Sequence, residues 1–249
     1  MHTGLNGKIA LVTGATAGIG RGIAEKLASL GVKVVLNYLN DNAATEATRQ
    51  AMRQYGPDYL LLQADVASPA AIEKLYAGTL AHFGRLDIVV ANAGIQLVET
   101  PVLDSTEAQF DQVFGLNVKG TFFVLQQAAR HLTDGGRLIL ISSTMSMHPD
   151  PGAAIYAASK AAPKLFVEVL AKELGHRQIT VNSVMPGIID NAGIITNQPA
   201  DVKKRMIAGS PLSRLGTPAD VANAVAFLAS AEGAFVHGQH LAVNGGSIY

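Results

Sequence analysis

The sequence predicts an α/β protein folded as one domain around a doubly wound parallel sheet of about seven strands. Short β-branched runs alternate with longer helical patterns along the whole chain. No Pro/Gly/Ser-rich linker, charge block or internal repeat divides residues 1–249. Hydrophobic residues make up 49% of the chain and charged residues 15%, the balance expected when strands are apolar on both faces and helices cover them. A chain of this length can bury one large core.

The elements follow in order. The first strand, Ile9–Thr13, runs into a glycine-rich turn, and the pattern from there to Leu30 is helical. Gly31 sits where that helix stops, and Val32–Asn37 is the second strand. Tyr59–Gln63 is the third; after it, Ser68-Pro69 reads as an N-cap with proline in the first helical turn. That helix ends at Gly84, before a fourth strand at Ile88–Ala91. Arg137–Ser142 and Thr180–Met185 are the fifth and sixth strands. Thr217-Pro218 opens the helix before the last strand, His240–Val243. In such sheets ligands bind beyond the carboxyl ends of the strands, so chemistry is sought in the loops that follow them.

Composition excludes several classes. Lysine plus arginine, 19, equals aspartate plus glutamate, 19, so no basic field gathers nucleic acid. The chain has no cysteine, which removes disulfides, thiolate zinc sites and a cysteine nucleophile. Its histidines are scattered, and no metal site is expected. Met1–Lys8 does not resemble a signal peptide, and no segment reaches the roughly 18 apolar residues a membrane span needs. A soluble, cytoplasmic protein without membrane partners is expected.

The turn after the first strand, Thr13-Gly14-Ala15-Thr16-Ala17-Gly18-Ile19-Gly20, has the spacing G-x-x-x-G-x-G. Gly14 suits a tight turn, Gly18 a close backbone approach to pyrophosphate, and Gly20 close helix–strand packing. The helix that begins near Ile19 directs its N-terminus at any anion held there. Taken alone, the loop also reads as an ordinary βα turn. Further motifs follow in order: Asn92-Ala93-Gly94 after the fourth strand, Asn117, Ser143, Tyr156-Ala157-Ala158-Ser159-Lys160, and Pro186-Gly187 after the sixth. Together they resemble the short-chain dehydrogenase/reductase family from Lys8 to Gly246. The resemblance implies a Rossmann-type fold, a nicotinamide cofactor, and hydride exchange between a small-molecule ketone and a secondary alcohol.

Tyr156 and Lys160 stand at i and i+4 and share a helix face. A phenol with a pKa of about 10 is a poor base at neutral pH, but a lysine cation and an oxidised nicotinamide favour phenolate. Tyr156 then suits general acid–base work. Ser143 lies thirteen positions before Tyr156, the separation the resemblance implies for a hydroxyl that bonds the substrate oxygen. Ser142 is the alternative, although it continues the alternation of a buried strand. By resemblance, Asn117 holds a bent helix and a water that links Lys160 to solvent, and Lys160 also contacts the nicotinamide ribose. A satisfied core amide is the other reading of Asn117.

The resemblance also assigns cofactor contacts. Asp65-Val66 looks like the adenine contact; Asn92 and Gly94 line the cofactor wall or brace the sheet. Pro186, Gly187 and Ile189 lie on the nicotinamide side, with Asn191 where the family often carries threonine. Tyr38, at the end of the second strand, stands where NAD-preferring relatives place an acid. The run Asn37-Tyr38-Leu39-Asn40 is neutral, and Thr16, Asn37 and Asn40 offer donors to a 2′-phosphate. NADP(H) is therefore expected, with NAD(H) the alternative, and Asp41 is the main objection.

A lid over residues 188–209 and the loop Thr144–Pro151 carry Met145, Met147, Ile188, Ile194, Ile195, Met206 and Ile207, which favours an apolar carbonyl compound. Within the lid, Lys203-Lys204-Arg205 reads as a solvated charge run or as a greeting for an acidic substrate. The pattern that includes Arg214–Pro218 and Asn244–Gly246 is similar to carbonyl reductases and to 3-oxoacyl-carrier-protein reductases. A non-catalytic dinucleotide sensor or scaffold is the alternative of another class. Two further expectations are a local kink at Pro163 and, by resemblance, a homotetramer: similar proteins pack the helix of Pro163 and the Pro218–Ser230 region plus last strand across two-fold axes, and Ala222, Ala226 and Ala229 allow close approach.

Overall fold

The computed structural model describes residues 3–247. Seven strands form one parallel sheet in the order β3-β2-β1-β4-β5-β6-β7. They are β1 Ile9–Val12, β2 Lys33–Tyr38, β3 Tyr59–Gln63, β4 Ile88–Ala91, β5 Arg137–Ile141, β6 Thr180–Pro186 and β7 His240–Val243. The helices are α1 Gly18–Ser29, α2 Ala43–Met52, α3 Pro69–Phe83, α4 Glu107–Phe114, α5 Thr121–His131, α6 Ala154–Leu174, α7 Ala200–Ala208 and α8 Pro218–Ala229. The strand order reverses between β1 and β4, which opens the crevice where α/β sheets bind ligands.

Alternate strand residues serve opposite cores. Ala10, Val12, Val34, Leu36, Val90 and Ile139 pack under α1 and α8, together with Ile23, Leu27, Val221 and Val225. Ile9, Leu11, Val35, Val89, Leu138 and Leu140 pack on the other face with Leu75, Tyr76, Val124 and Val167. The period of two thus buries both faces. Caps agree with the sequence: Ser68 and Thr217 accept from the N3 amides of α3 and α8, and Gly84 closes α3 in the left-handed region.

One expectation is corrected. Ala222, Ala226 and Ala229 are buried within this chain, so they do not offer a surface for a second copy. The close approach of α8 is to α1, where a Cβ on Gly22 would stand 2.7 Å from Pro218. Helix α6 continues through Pro163 to Leu174, with Val167, Ala171 and Leu174 packed against the sheet face, despite the backbone bond that proline cannot make.

Candidate active site

The glycine loop turns immediately beyond β1. Gly14 has φ +61, a left-handed conformation that side chains with a Cβ resist. A Cβ on Gly20 would lie 2.1 Å from the Gly14 carbonyl, so the first turn of α1 rests directly on the loop. Neighbouring strands brace it. The Asn92 side chain donates to the carbonyls of Thr13 and Gly14 at 2.9 and 3.1 Å, and the Thr13 hydroxyl accepts from the amides of Asn92 and Ala93. On the β2 side, Asn37 accepts from the Gly14 amide at 3.2 Å and donates to the carbonyls of Leu62 and Ala64. Asn37 is buried and its donors are engaged, which corrects its expected role as a phosphate donor.

Tyr38 ends β2, partly buried. Asp41, the objection to a 2′-phosphate, is paired instead with Arg49 at 3.8 Å, and Arg49 also binds Glu46. Thr16 sits at the loop's rim, where its carbonyl accepts from Thr48 of α2, and Ile19 packs partly buried at the start of α1. Past β3, Asp65 is exposed and accepts from the Ala67 amide at 2.9 Å, while Val66 is buried against the second core.

The two serines after β5 divide their work. Ser142 continues the strand and its hydroxyl donates to the Lys160 carbonyl at 2.8 Å, tying α6 to the sheet. Ser143, one residue on, turns its hydroxyl to that of Tyr156. Burial holds the Tyr156 phenol above its ordinary value, and side-chain hydrogen bonds with Ser143 and Gln96 partly offset this. Lys160, on the same helix face, is buried, and its Nζ donates to the Ile141 carbonyl at 3.2 Å. Desolvation pulls that amine down to about 8. The phenol is therefore held protonated by burial rather than lowered by a nearby ammonium.

Between α4 and α5 the helix widens into a π-helical segment, Gly115–Gly120, that carries Asn117 inward. Asn117 accepts from the Ile95 amide and donates to the Ile95 carbonyl and the Ser159 hydroxyl, each at 2.9 Å. Asn117 is thus a satisfied amide inside a distorted helix. A Cβ on Gly94 would lie 3.0 Å from both Asn117 Oδ1 and Lys160 Nζ, so Gly94 leaves room where these two groups converge.

Beyond β6, Thr144 donates to the Pro186 carbonyl at 3.2 Å, and Gly187 donates to Val243. Ile189 is buried and bridges to Gly216, which pins the start of segment 188–209. Asn191, at φ +55, and Ala192 bring this segment against the glycine loop, where a Cβ on Gly18 would stand 3.3 Å from Ala192. Lys203 pairs with Asp190 at 2.7 Å and fastens α7 to the start of the segment; Arg205 pairs with Asp201. Lys203 is thus a tether rather than a free greeting for an acidic substrate. The side chain of Ile194 lies outside the described residues.

Gln96 is the site residue that motif reading misses. The signal for it is its place, a polar residue two positions beyond Gly94 in the loop at the carboxyl end of β4. A separate chain of contacts resembles hydrolytic chemistry: Ser183 bonds His240 at 2.7 Å, and His240 bonds Glu168 at 3.0 Å. Ser183 has no exposed surface, so its hydroxyl cannot meet a substrate. Among the described residues, no group of three histidines or carboxylates is placed to hold a metal, and no helix is long and apolar enough to cross a membrane.

The family model described as enoyl-(acyl carrier protein) reductase matches residues 14–247. A short chain dehydrogenase/reductase of Cryptosporiopsis sp. is 42% identical over 260 residues, covering 98% of this chain and 96% of the relative. A versicolorin reductase of Emericella nidulans is 43% identical over 257 residues, with the same coverage of 98% and 96%. The solved short-chain dehydrogenase/reductase of Serratia marcescens superposes with TM-score 0.91 at 35% identity, covering 97% of this chain and 98% of that one. A short chain dehydrogenase of Burkholderia cenocepacia, solved in complex with NADP, gives TM-score 0.90 at 36% identity and covers 98% of both chains.

Proposed function

Because this chain belongs to the short-chain dehydrogenase/reductase family, we propose that it is an NADP(H)-dependent oxidoreductase that interconverts a ketone and a secondary alcohol. The observation that carries this reading is the meeting of the Tyr156 and Ser143 hydroxyls beyond β5, one helical turn from the buried amine of Lys160.

The loop fits a dinucleotide. Its glycines let the backbone lie against its neighbours where no Cβ would fit, and α1, twelve residues long, starts there with the kind of helix N-terminus that suits a phosphate. Gly14, Gly18 and Ile19 would hold the pyrophosphate; Asp65 and Val66 the adenine; Asn92, Gly94, Pro186, Gly187 and Ile189 the nicotinamide side. Three things support NADP(H) over NAD(H): Tyr38 at the end of β2 is uncharged, Arg49 engages Asp41, and the Burkholderia relative was solved with NADP.

When bound, the nicotinamide supplies or accepts the hydride. In reduction, Tyr156 donates its proton to the carbonyl oxygen, and Ser143 donates a second hydrogen bond to the same oxygen. Lys160 Nζ, near its titration point at about 8, holds or passes a proton behind the phenol, and Asn117 fixes the backbone of Ile95 beside it. In oxidation the phenolate takes the alcohol proton.

The test is a panel of ketones, versicolorin, 3-oxoacyl thioesters and sugar alcohols assayed with NADPH and NADH by nicotinamide absorbance. Turnover of a ketone with a kcat/KM preference for NADPH is expected. Binding of cofactor with no absorbance change on any member would favour a sensor and overturn the reading. Preference for the thioesters would identify the 3-oxoacyl branch.

The assembly we propose is a homotetramer. Exposed Phe110, Phe122, Leu165 and Val169 lie on the packed helices α4, α5 and α6, and exposed Phe235 and Leu241 lie at and before the edge strand β7. Exposed apolar side chains on these helices and at this edge are surface of the kind that closed two-fold assemblies bury.

A further inference from the structure

We propose that a cavity at the amino ends of the strands, on the opposite edge of the sheet from the candidate active site, binds a small oxyanion of the phosphate class, with Arg137 and Lys8 as its cationic ligands. The proposal is independent of the reductase reading.

The cavity has a volume of about 270 Å³ and lies among Lys8 before β1, Asp87 and Ile88 at β4, Arg137 at the first position of β5, and Ser230 and Ala231 after α8. That is far more space than one water requires. The Ser230 hydroxyl is spent on the Phe227 carbonyl at 2.7 Å, so the charged groups of the lining decide what the cavity holds.

Arg137 is the unbalanced member. Its Nη1 donates to the carbonyls of Gly135 and Gly136 at 2.6 and 3.0 Å. Its Nε is buried without an acceptor, and among the described residues no carboxylate pairs with the guanidinium. Burial pulls the group below its ordinary value, as it does for a cation short of a counter-charge. Asp87 is already taken. Its carboxylate accepts from the Ile9 amide at 2.9 Å and the Thr133 hydroxyl at 3.2 Å, and it pairs with Arg85 and, at 3.5 Å, with Lys8. Glu232, next to Ala231, is turned onto the Thr3 amide and hydroxyl at 3.0–3.1 Å.

Two cations of the lining therefore share one carboxylate that Arg85 also claims, and the excess charge is positive. Lys8 is half-exposed and only loosely held by Asp87, which leaves donors of its ammonium for a ligand. A guanidinium and an ammonium engage phosphate oxygens as a planar fork and as a point charge. An oxyanion supplies the counter-charge that the fold itself withholds from Arg137, whereas a neutral ligand leaves that cation uncompensated.

The experiment titrates the full-length protein with inorganic phosphate, against chloride at equal ionic strength, in the parent, Arg137→Gln, Arg137→Lys and Lys8→Gln. Calorimetry reads affinity and the thermal unfolding midpoint reads stabilisation. The glycine loop, which also suits phosphate, is the same in all four proteins, so the difference between them reports this cavity. Arg137→Gln is expected to weaken phosphate binding here by at least about tenfold and to lose the corresponding rise in midpoint, with smaller losses in Arg137→Lys and Lys8→Gln. Equal binding in all four proteins, or no binding to the parent, would overturn the proposal. Should Arg137→Gln fail to fold, Lys8→Gln decides by the same rule: weakened binding upholds the site and unchanged binding refutes it. Glycerol 1-phosphate in the same titrations separates the two sources of this chemistry. Tighter binding than inorganic phosphate, lost with Arg137 or Lys8, assigns the cavity to a phosphate ester; weaker binding assigns it to the free ion.

Discussion

Lys160 shows how one side chain can be costly to the fold and useful to the reaction. Its amine is pulled down to about 8 from 10.5, so between those values the unfolded chain binds a proton that the folded chain lacks. Stability from this group is lowest below pH 8 and recovers as pH rises toward 10.5. Lys160→Met is therefore expected to stabilise the protein below pH 8, by up to about 3 kcal/mol, while it loses turnover and weakens cofactor binding. Urea titrations on either side of that window check the sign; a variant no more stable than the parent at neutral pH would contradict it. Tyr156→Phe keeps the fold and the cofactor but should lose at least ~10²-fold in kcat. Tyr38→Asp should move the kcat/KM ratio toward NADH by placing an acid where the ribose phosphate would sit. The Tyr156/Lys160 pair was legible because helical periodicity puts i and i+4 on one face and because the motifs around it resemble a known family in their order. Gln96 was not, since nothing local says that the loop after β4 folds onto α6.

At the scale of elements, the π-helical segment Gly115–Gly120 is a local irregularity fixed by tertiary contacts. Asn117 satisfies both backbone groups of Ile95 and the Ser159 hydroxyl, and a Cβ on Gly120 would lie 2.3 Å from the Val66 carbonyl. Asn117→Ala should cost about 1–3 kcal/mol, because it strands two part-buried backbone groups, and should lower kcat as the Ile95 loop loosens. Chemical denaturation and turnover measured on the same preparation check both; a change in kcat alone would leave only the catalytic part. The strands were read from sequence within a residue or so, since β-branched runs and glycine stops are local signals. The direction of α8 was not. Ala222, Ala226 and Ala229 form a face of small residues that would suit a neighbouring molecule or a neighbouring helix equally, and only the partner chosen, α1, decides between them.

At the scale of the whole molecule, the exposed faces of α4–α6 and the β7 edge make assembly testable. Sedimentation at micromolar concentration is expected to give a tetramer, and Phe122→Arg is expected to lower its order. A monomeric parent protein would remove the proposal. Within the chain, the parallel sheet has a consequence in time. The β1–β4 seam joins the two halves of the sheet only after the intervening α1-to-α3 segment has been made, and the Ile9 amide finds its Asp87 partner 78 positions away. During synthesis, β1–β3 must wait with one apolar edge uncovered until β4 emerges. Parallel pairings of this range close slowly, and a half-built sheet with an open edge is prone to aggregate. Refolding is expected to slow and lose yield as concentration rises, and to recover when the β1 edge is covered early, for instance by a chaperone present from the start.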